Sequence, residues 1–408
     1  MLYRILNMNK WLFLAGCLCV GLGAKAQTFP LPTYANIQYV ADNLPSHQLD
    51  VYIPAGTTTK TPTIVYIHPG GWNSGTRLDA MNRGCDTLLQ NGFVVCSISY
   101  RFSQDSVFPA QIYDCKTAIR FLKKNASSFK IDTCRMGVFG HSSGAHLAAL
   151  VATSIGVESL EGKHLGSTNT TSKIHAAVDF FGPIDFLHYD NYFPNAAPDS
   201  CSSPLYIQDT VSSISSQLLG CRISTCPTRV RAANPTTYID GNEPPFSLHH
   251  GSFDCVVPPQ QSQLLHDSLQ AHGQSSILTI YPRQTHGGTA RFYYRAQPKD
   301  SILQFFTRHL KLRNPCGNVG NQDQEDFSLR CTIYPNPSLQ KSPNLLLNYQ
   351  QEMPTNMRIY NQLGALVYEK TEFTNGFSYP LPSTLKNGFY IAQVRYKNGT
   401  TNLKFVIN

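Results

Sequence analysis

Between residues 136 and 152 an apolar run, a small-residue turn and an alanine-rich run follow one another without a break. Met136-Gly137-Val138-Phe139 has the composition of a buried strand, and Ala145-His146-Leu147-Ala148-Ala149-Leu150-Val151-Ala152 that of a helix. The turn joining them is Gly140-His141-Ser142-Ser143-Gly144, a G-x-S-x-G pattern in strand–turn–helix context. A turn this sharp strains its central residue, and side chains at Gly140 and Gly144 would clash with the neighbouring strand and helix. Ser142 is thereby left at the carboxyl end of a strand with a helix N-terminus behind it, a place that favours developing negative charge.

Strand-like and helix-like runs alternate on both sides of this unit. Residues 48–53, 63–67, 93–100, 176–181, 245–250 and 277–281 read as strands. Residues 78–90, 110–126, 259–272 and 301–312 have helical character. The alternation predicts an α/β fold, a mostly parallel sheet with helices on both faces, over residues 27–313. Residues 184–244 break the rhythm. They are rich in Ser, Asn, Asp, Pro and Cys, with one helix expected near 209–219, and read as an insertion packed over the site. Residues 314–330 read as a linker. Residues 331–408 change texture to short alternating strands with Asn- and Gly-containing turns, which predicts a separate small β-sandwich.

Of the chain's 408 residues only 14% are charged, and the formal net charge of +8 is scattered, with no basic stripe interleaved with aromatics; nucleic acid is a poor partner. Residues 1–26 have the plan of a secretory signal: Arg4 and Lys10, an apolar core from Trp11 to Gly23, and Ala24-Lys25-Ala26 as a cleavage site. Leu14-Ala15-Gly16-Cys17 offers a lipoprotein signal as the competing reading, and the apolar run is short for a membrane span. Ten of the twelve cysteines lie beyond residue 26, an even number that makes disulfides plausible in an exported chain. Cys255 is expected to pair with Cys221 or Cys226, while Cys96 reads equally well as a buried thiol. Neither paired Cys-x-x-Cys units nor a His-x-x-x-His site is present, so no metal is implied and no cofactor is expected.

A serine hydroxyl needs a base to take its proton and donors to hold an oxyanion. His286, in Gln284-Thr285-His286-Gly287-Gly288 after strand 277–281, is the candidate base. Asp254, after Gly251-Ser252-Phe253, is the candidate carboxylate to orient it; Asp179 and Asp185 compete but come early in the chain. Ser, then Asp, then His is the chain order of α/β-hydrolases. In His68-Pro69-Gly70-Gly71-Trp72, Pro69 has no N–H. Gly70 and Gly71 are therefore the candidate oxyanion donors, with Ser143 supplying the other N–H and Trp72 a candidate substrate contact.

These stretches, with Ser99-Tyr100-Arg101, Phe108-Pro109-Ala110, Asp114, Pro244-Pro245-Phe246 and Cys255-Val256-Val257-Pro258, together resemble secreted carbohydrate esterases related to feruloyl and acetyl-xylan esterases. The resemblance covers about residues 34–312. It implies an α/β-hydrolase fold and an esterified polysaccharide or oligosaccharide as substrate, attacked through an acyl-enzyme. It departs at Pro69, where relatives have glycine, and at Ser143-Gly144-Ala145. A lipase or general carboxylesterase with the same residues, or a non-catalytic binding protein on the same scaffold, are the alternatives. Tyr334-Pro335-Asn336-Pro337, Met357-Arg358-Ile359-Tyr360-Asn361, Leu385-Lys386-Asn387-Gly388-Phe389-Tyr390 and the closing Lys404-Phe405-Val406-Ile407-Asn408 resemble the C-terminal sorting domain of type IX secretion. That resemblance implies export through the type IX machinery. The lengths of the apolar runs separately predict no stable membrane insertion.

Overall fold

The computed structural model describes residues 29–192, 207–287, 295–312, 331–334, 344–347, 354–373, 378–397 and 399–407. The expected signal (1–26) and linker (314–330) lie outside these residues.

Eight strands form one sheet: β1 (Tyr34–Gln38), β2 (Gln48–Tyr52), β3 (Thr61–Ile67), β4 (Val94–Ile98), β5 (Ile131–His141), β6 (Ala176–Phe180), β7 (Phe246–Gly251) and β8 (Ser276–Tyr281). Their order is β1-β2-β4-β3-β5-β6-β7-β8. β1 and β2, and β2 and β4, pair antiparallel, and every later pairing is parallel. Ile64, Val65, Tyr66 and Ile67 of β3 are all fully buried, as expected for a central strand covered on both faces. The period of two sends alternate residues to different cores. Val65 and Ile67 join the cluster built with Ile112 and Leu147, whereas Ile64 and Tyr66 join the one built with Leu88, Phe305 and Phe306. The helices behind these clusters are α1 (Cys85–Gln90), α2 (Ala110–Lys124), α3 (Ser143–Thr153), α4 (Ile214–Leu219), α5 (Pro227–Ala233), α6 (Gln260–Ala271) and α7 (Ala296–Phe306). Among the described residues no helix is long and apolar enough to cross a membrane.

Three details differ from expectation. β1, a bulged edge strand, was not anticipated. The polar stretch from residue 78 forms short 3-10 turns before α1 starts at Cys85. The last helix begins at Ala296 and ends in a wider π-type turn, Thr307–Lys311. The C-terminal residues form antiparallel sheets of three and four strands. Their apolar cluster includes Met357, Ile359, Tyr390, Val394 and Phe405.

Register aligns the strand ends that matter. Ile67 pairs with Gly140, His141 with Phe180, Phe180 with His249, and Gly251 with Tyr281. Parallel strands in step must release their following loops at one rim, where open α/β sheets place ligands. The loops at 68–72, 142, 254 and 286 all follow such ends.

The elbow glycines make this packing possible. A Cβ at residue 144 would lie 2.2 Å from the Ile67 carbonyl oxygen and 2.6 Å from that of His68. One at residue 140 would lie 2.2 Å from the Gly144 carbonyl oxygen. Backbone cannot retreat cheaply from such contacts. Gly144→Ala is expected to destabilise the fold by about 1–3 kcal/mol, the usual cost of overpacking. A lower denaturant midpoint against the parent protein is the measurement.

Candidate active site

Ser142 sits between β5 and α3 with φ 51° and ψ −123°, a strained conformation for a residue with a side chain. Its N–H donates to the Phe180 carbonyl at 2.8 Å, which ties the turn to β6. The hydroxyl oxygen is 2.9 Å from His286 Nε2, and His286 Nδ1 is 2.7 Å from Asp254 Oδ2. With Nδ1–H donating to the carboxylate, Nε2 is left to accept the serine proton. The three side chains that chain order singled out are therefore in one hydrogen-bonded line.

The loop after β7 explains how Asp254 is held. Its Oδ1 accepts the N–H groups of Val256 and Val257, both at 2.9 Å. Burial alone would raise the carboxyl's proton affinity. The charge of His286 and hydrogen bonds from His250 and His286 outweigh it and hold the group well below the usual carboxylate range. The loop after β8 is braced against the same segment. Phe253 N–H donates to the Gln284 carbonyl at 2.8 Å, and Arg283 N–H donates to Ser252 Oγ at 2.8 Å. A Cβ at Gly251 would lie 2.2 Å from the Gln284 carbonyl oxygen, so the glycine of Gly251-Ser252-Phe253-Asp254 lets the two loops touch. Phe181 meets the His286 ring edge-on at 4.6 Å and limits its tilt. Sequence reading passed over Phe181 because it looked like the last residue of a strand.

The competing carboxylates are engaged elsewhere. Asp179 is buried and accepts the Gly182 N–H at 2.8 Å, and burial pushes its carboxyl up to about 6. Asp185 accepts from Asn234 Nδ2 at 3.1 Å and lies 2.7 Å from His188 Nδ1.

Gly70, Gly71 and Trp72 have positive φ in succession, 130°, 60° and 58°. The Gly70 carbonyl accepts from the N–H groups of Asn73 at 3.1 Å and Ser74 at 3.0 Å, which closes the turn. Among the described residues, the N–H groups of Gly70 and Gly71 have no protein acceptor. Ser143 opens α3, where helix geometry leaves N–H groups without intrahelical partners. Tyr100 OH donates to the His68 carbonyl at 3.0 Å and its ring stacks on His68 at 4.4 Å, which anchors the loop's base.

Trp72 requires a correction. Its side chain is only 2% exposed and packs against His146 and Phe186 in the core, not on a substrate-facing surface. Its indole N–H donates to His146 Nδ1 at 3.2 Å, and His146 Nε2–H donates to the Ala233 carbonyl at 2.8 Å. Burial brings His146 down to about 4, which keeps it in this neutral tautomer. The chain of contacts joins the glycine loop, α3 and α5.

The insertion is fastened around the same rim. Gln261 Oε1 accepts the N–H groups of Ile184 at 2.6 Å and Asp185 at 2.7 Å. Phe108 N–H donates to the Leu218 carbonyl at 2.7 Å. Ile214, at the start of α4, lies over the glycine loop: a Cβ at Gly71 would be 3.3 Å from Ile214 Cδ1. The expected cysteine pairing is also corrected. Cys221 and Cys226 are bonded to each other across a separation of five residues, bringing the start of α5 back to the end of α4. Cys255 is disulfide-bonded to neither of them. Cys96 is a buried free thiol.

Comparison with known proteins agrees with this architecture. Residues 49–269 match the BD-FAE family, and residues 332–408 match the secretion system C-terminal sorting domain. A structure described as a truncated form of a carbohydrate esterase from gut microbiota is 30% identical, with TM-score 0.61, over 67% of this chain and 95% of that one. The bifunctional GH43-CE protein of Bacteroides eggerthii is 32% identical, with TM-score 0.61, over 67% of this chain and 35% of that one. Esterase LipC of Mycobacterium tuberculosis is 28% identical over 234 residues, 57% of this chain. The chain spans about half the length of the curated relatives it matches, 54% in the case of LipC. This chain belongs to the BD-FAE family, with an esterase domain of the α/β-hydrolase type and a type IX sorting domain at its C-terminus.

Proposed function

We propose that the protein is a secreted serine esterase that hydrolyses acetyl or feruloyl esters on plant cell-wall polysaccharide through an acyl-enzyme. The observation that carries this reading is the Ser142 Oγ–His286 Nε2 contact of 2.9 Å, continued to Asp254 at 2.7 Å. In the first half-reaction Ser142 attacks the ester carbonyl while His286 takes its proton. The N–H of Ser143 and one from Gly70 or Gly71 receive the oxyanion, each such donor lowering the barrier by roughly 3–4 kcal/mol. Protonated His286, stabilised by Asp254, then gives its proton to the departing sugar alcohol. Water repeats the cycle on the acyl-serine and releases the acid.

The polysaccharide part of the reading is supported by the structure described as a carbohydrate esterase, at 30% identity. Residues 1–26 direct the chain across the first membrane, and its further export by the type IX machinery acting on residues 331–408 is supported by the sorting-domain match. Ile214 of the insertion lies beside the glycine loop, and on this reading it forms part of the wall that faces the acyl group. A branched side chain there favours short acyl chains.

Ser142→Ala is expected to lower the hydrolysis of acetylated xylan and of a feruloylated oligosaccharide at least about a thousand-fold, with the fold unchanged. Wild-type rates in the variant, measured by product release, would refute the mechanism. Ile214→Ala is expected to raise butyrate relative to acetate hydrolysis on nitrophenyl esters by roughly tenfold, the scale on which apolar pockets discriminate by size. An unchanged acyl profile would remove Ile214 from the wall.

A further inference from the structure

β7 ends in two adjacent histidines with opposite surroundings. His249 stacks on Phe180 at 4.4 Å and is hydrogen-bonded to Ser247 Oγ and Tyr281 OH, both at 2.9 Å. His250 points the other way, is fully buried, and has three polar neighbours. Its Nδ1 lies 2.7 Å from Ser262 Oγ on α6. Its Nε2 lies 2.9 Å from the Val257 carbonyl and 3.2 Å from Asp254 Oδ2.

These partners dictate the tautomer. A neutral imidazole has one donor and one acceptor nitrogen. The Val257 carbonyl can only accept, so Nε2 carries the hydrogen and Nδ1 accepts from the Ser262 hydroxyl. That Nε2–H faces the carbonyl and the carboxylate together. Asp254 Oδ2 is consequently approached by two imidazole donors, His286 at 2.7 Å and His250 at 3.2 Å. The ionisable groups around this spot are Asp254 from the loop after β7, His286 from the loop after β8, Asp179 from β6, Tyr189, which acts on Asp254, and His141 at the end of β5, which acts on His286.

We propose that His250 is a positioning residue of the Ser142–His286–Asp254 line, its Nε2–H serving as the second donor that fixes the Asp254 carboxylate and shares its charge. This rests on the serine-esterase reading above. A carboxylate with one imidazole donor would concentrate its charge on His286, strengthen that ring's hold on its proton, and leave less of it free to act as base. With a second donor the charge is divided, and Oδ2 stays aimed at His286 Nδ1. Ser262 acts one step further back by fixing which nitrogen of His250 carries hydrogen.

The test compares pH profiles of kcat/KM on nitrophenyl acetate for the full chain and for His250→Leu, His250→Gln and Ser262→Ala. His250→Leu removes the donor. The expected result is a kcat lower by about tenfold with KM within about twofold, and an acid limb displaced upward by about half a pH unit to one unit. The glutamine amide can still donate, so His250→Gln is expected to recover most of kcat and return the limb toward its parent position. Ser262→Ala keeps the ring but loosens its tautomer, and is expected to move the limb in the same direction by less. If His250→Leu does not fold, Ser262→Ala and His250→Gln carry the comparison. An acid limb at the parent position in every folded variant, or a change in KM without one in kcat, overturns the proposal. Failure of the underlying mechanism reads differently, as activity surviving in Ser142→Ala.

Discussion

The molecule depends on a contact that no side chain could make. The N-terminus of α3 approaches the end of β3 so closely that a single added carbon at residue 144 would fall within 2.2 Å of the Ile67 oxygen. That closeness brings the serine turn and the glycine loop into one place. Ser142 and the loop of residues 68–72 then follow neighbouring strand ends at one rim of the sheet. Had α3 stood off by the width of a methyl group, the strands could still have paired. The turn and the loop would no longer have met.

Electrostatics divides the carboxylates that meet at this rim. Asp254 has two backbone donors on one oxygen and imidazoles on the other, so it remains ionised although buried. Asp179 has one backbone donor, from Gly182, and burial dominates its behaviour. Two aspartates equally hidden from water thus differ through the charge of His286 beside one of them and the number of hydrogens aimed at each, as expected where desolvation opposes charge and hydrogen bonding. A third group, Asp114, is bound to Arg101 and His47 and pins the segment after β4 to α2. It accounts for the Ser99-Tyr100-Arg101 motif in structural terms.

The central strands were legible in the sequence because a strand covered on both faces must be apolar along its whole length. β3 and the end of β5 show this. β1 was not legible: Tyr34 to Ile37 alternates poorly, pairs along one side only, and carries a bulge. The serine, aspartate and histidine were legible because each lies in the turn or loop after a strand and their order matches one way of closing a sheet. Trp72 misled because a position beside a glycine loop does not reveal which way the indole turns. The structure turns it inward, toward His146. The cysteine pairing misled for a related reason. Spacing cannot show that the chain between Cys221 and Cys226 folds back on itself. His250 is one of two adjacent histidines, and only the alternation of β7 separates the one near Asp254 from the one near Tyr281.

The imidazole in contact with the Ser142 hydroxyl is encoded 144 positions downstream of it. Translation must therefore run past residue 286 before the Ser142–His286–Asp254 line can form. A polypeptide cut short ahead of that point holds the serine without the imidazole. The line closes only with the loop that follows β8, the last strand of the sheet. In a chain that carries a type IX sorting domain, that line is thus completed by one of the last parts of the esterase domain to be made.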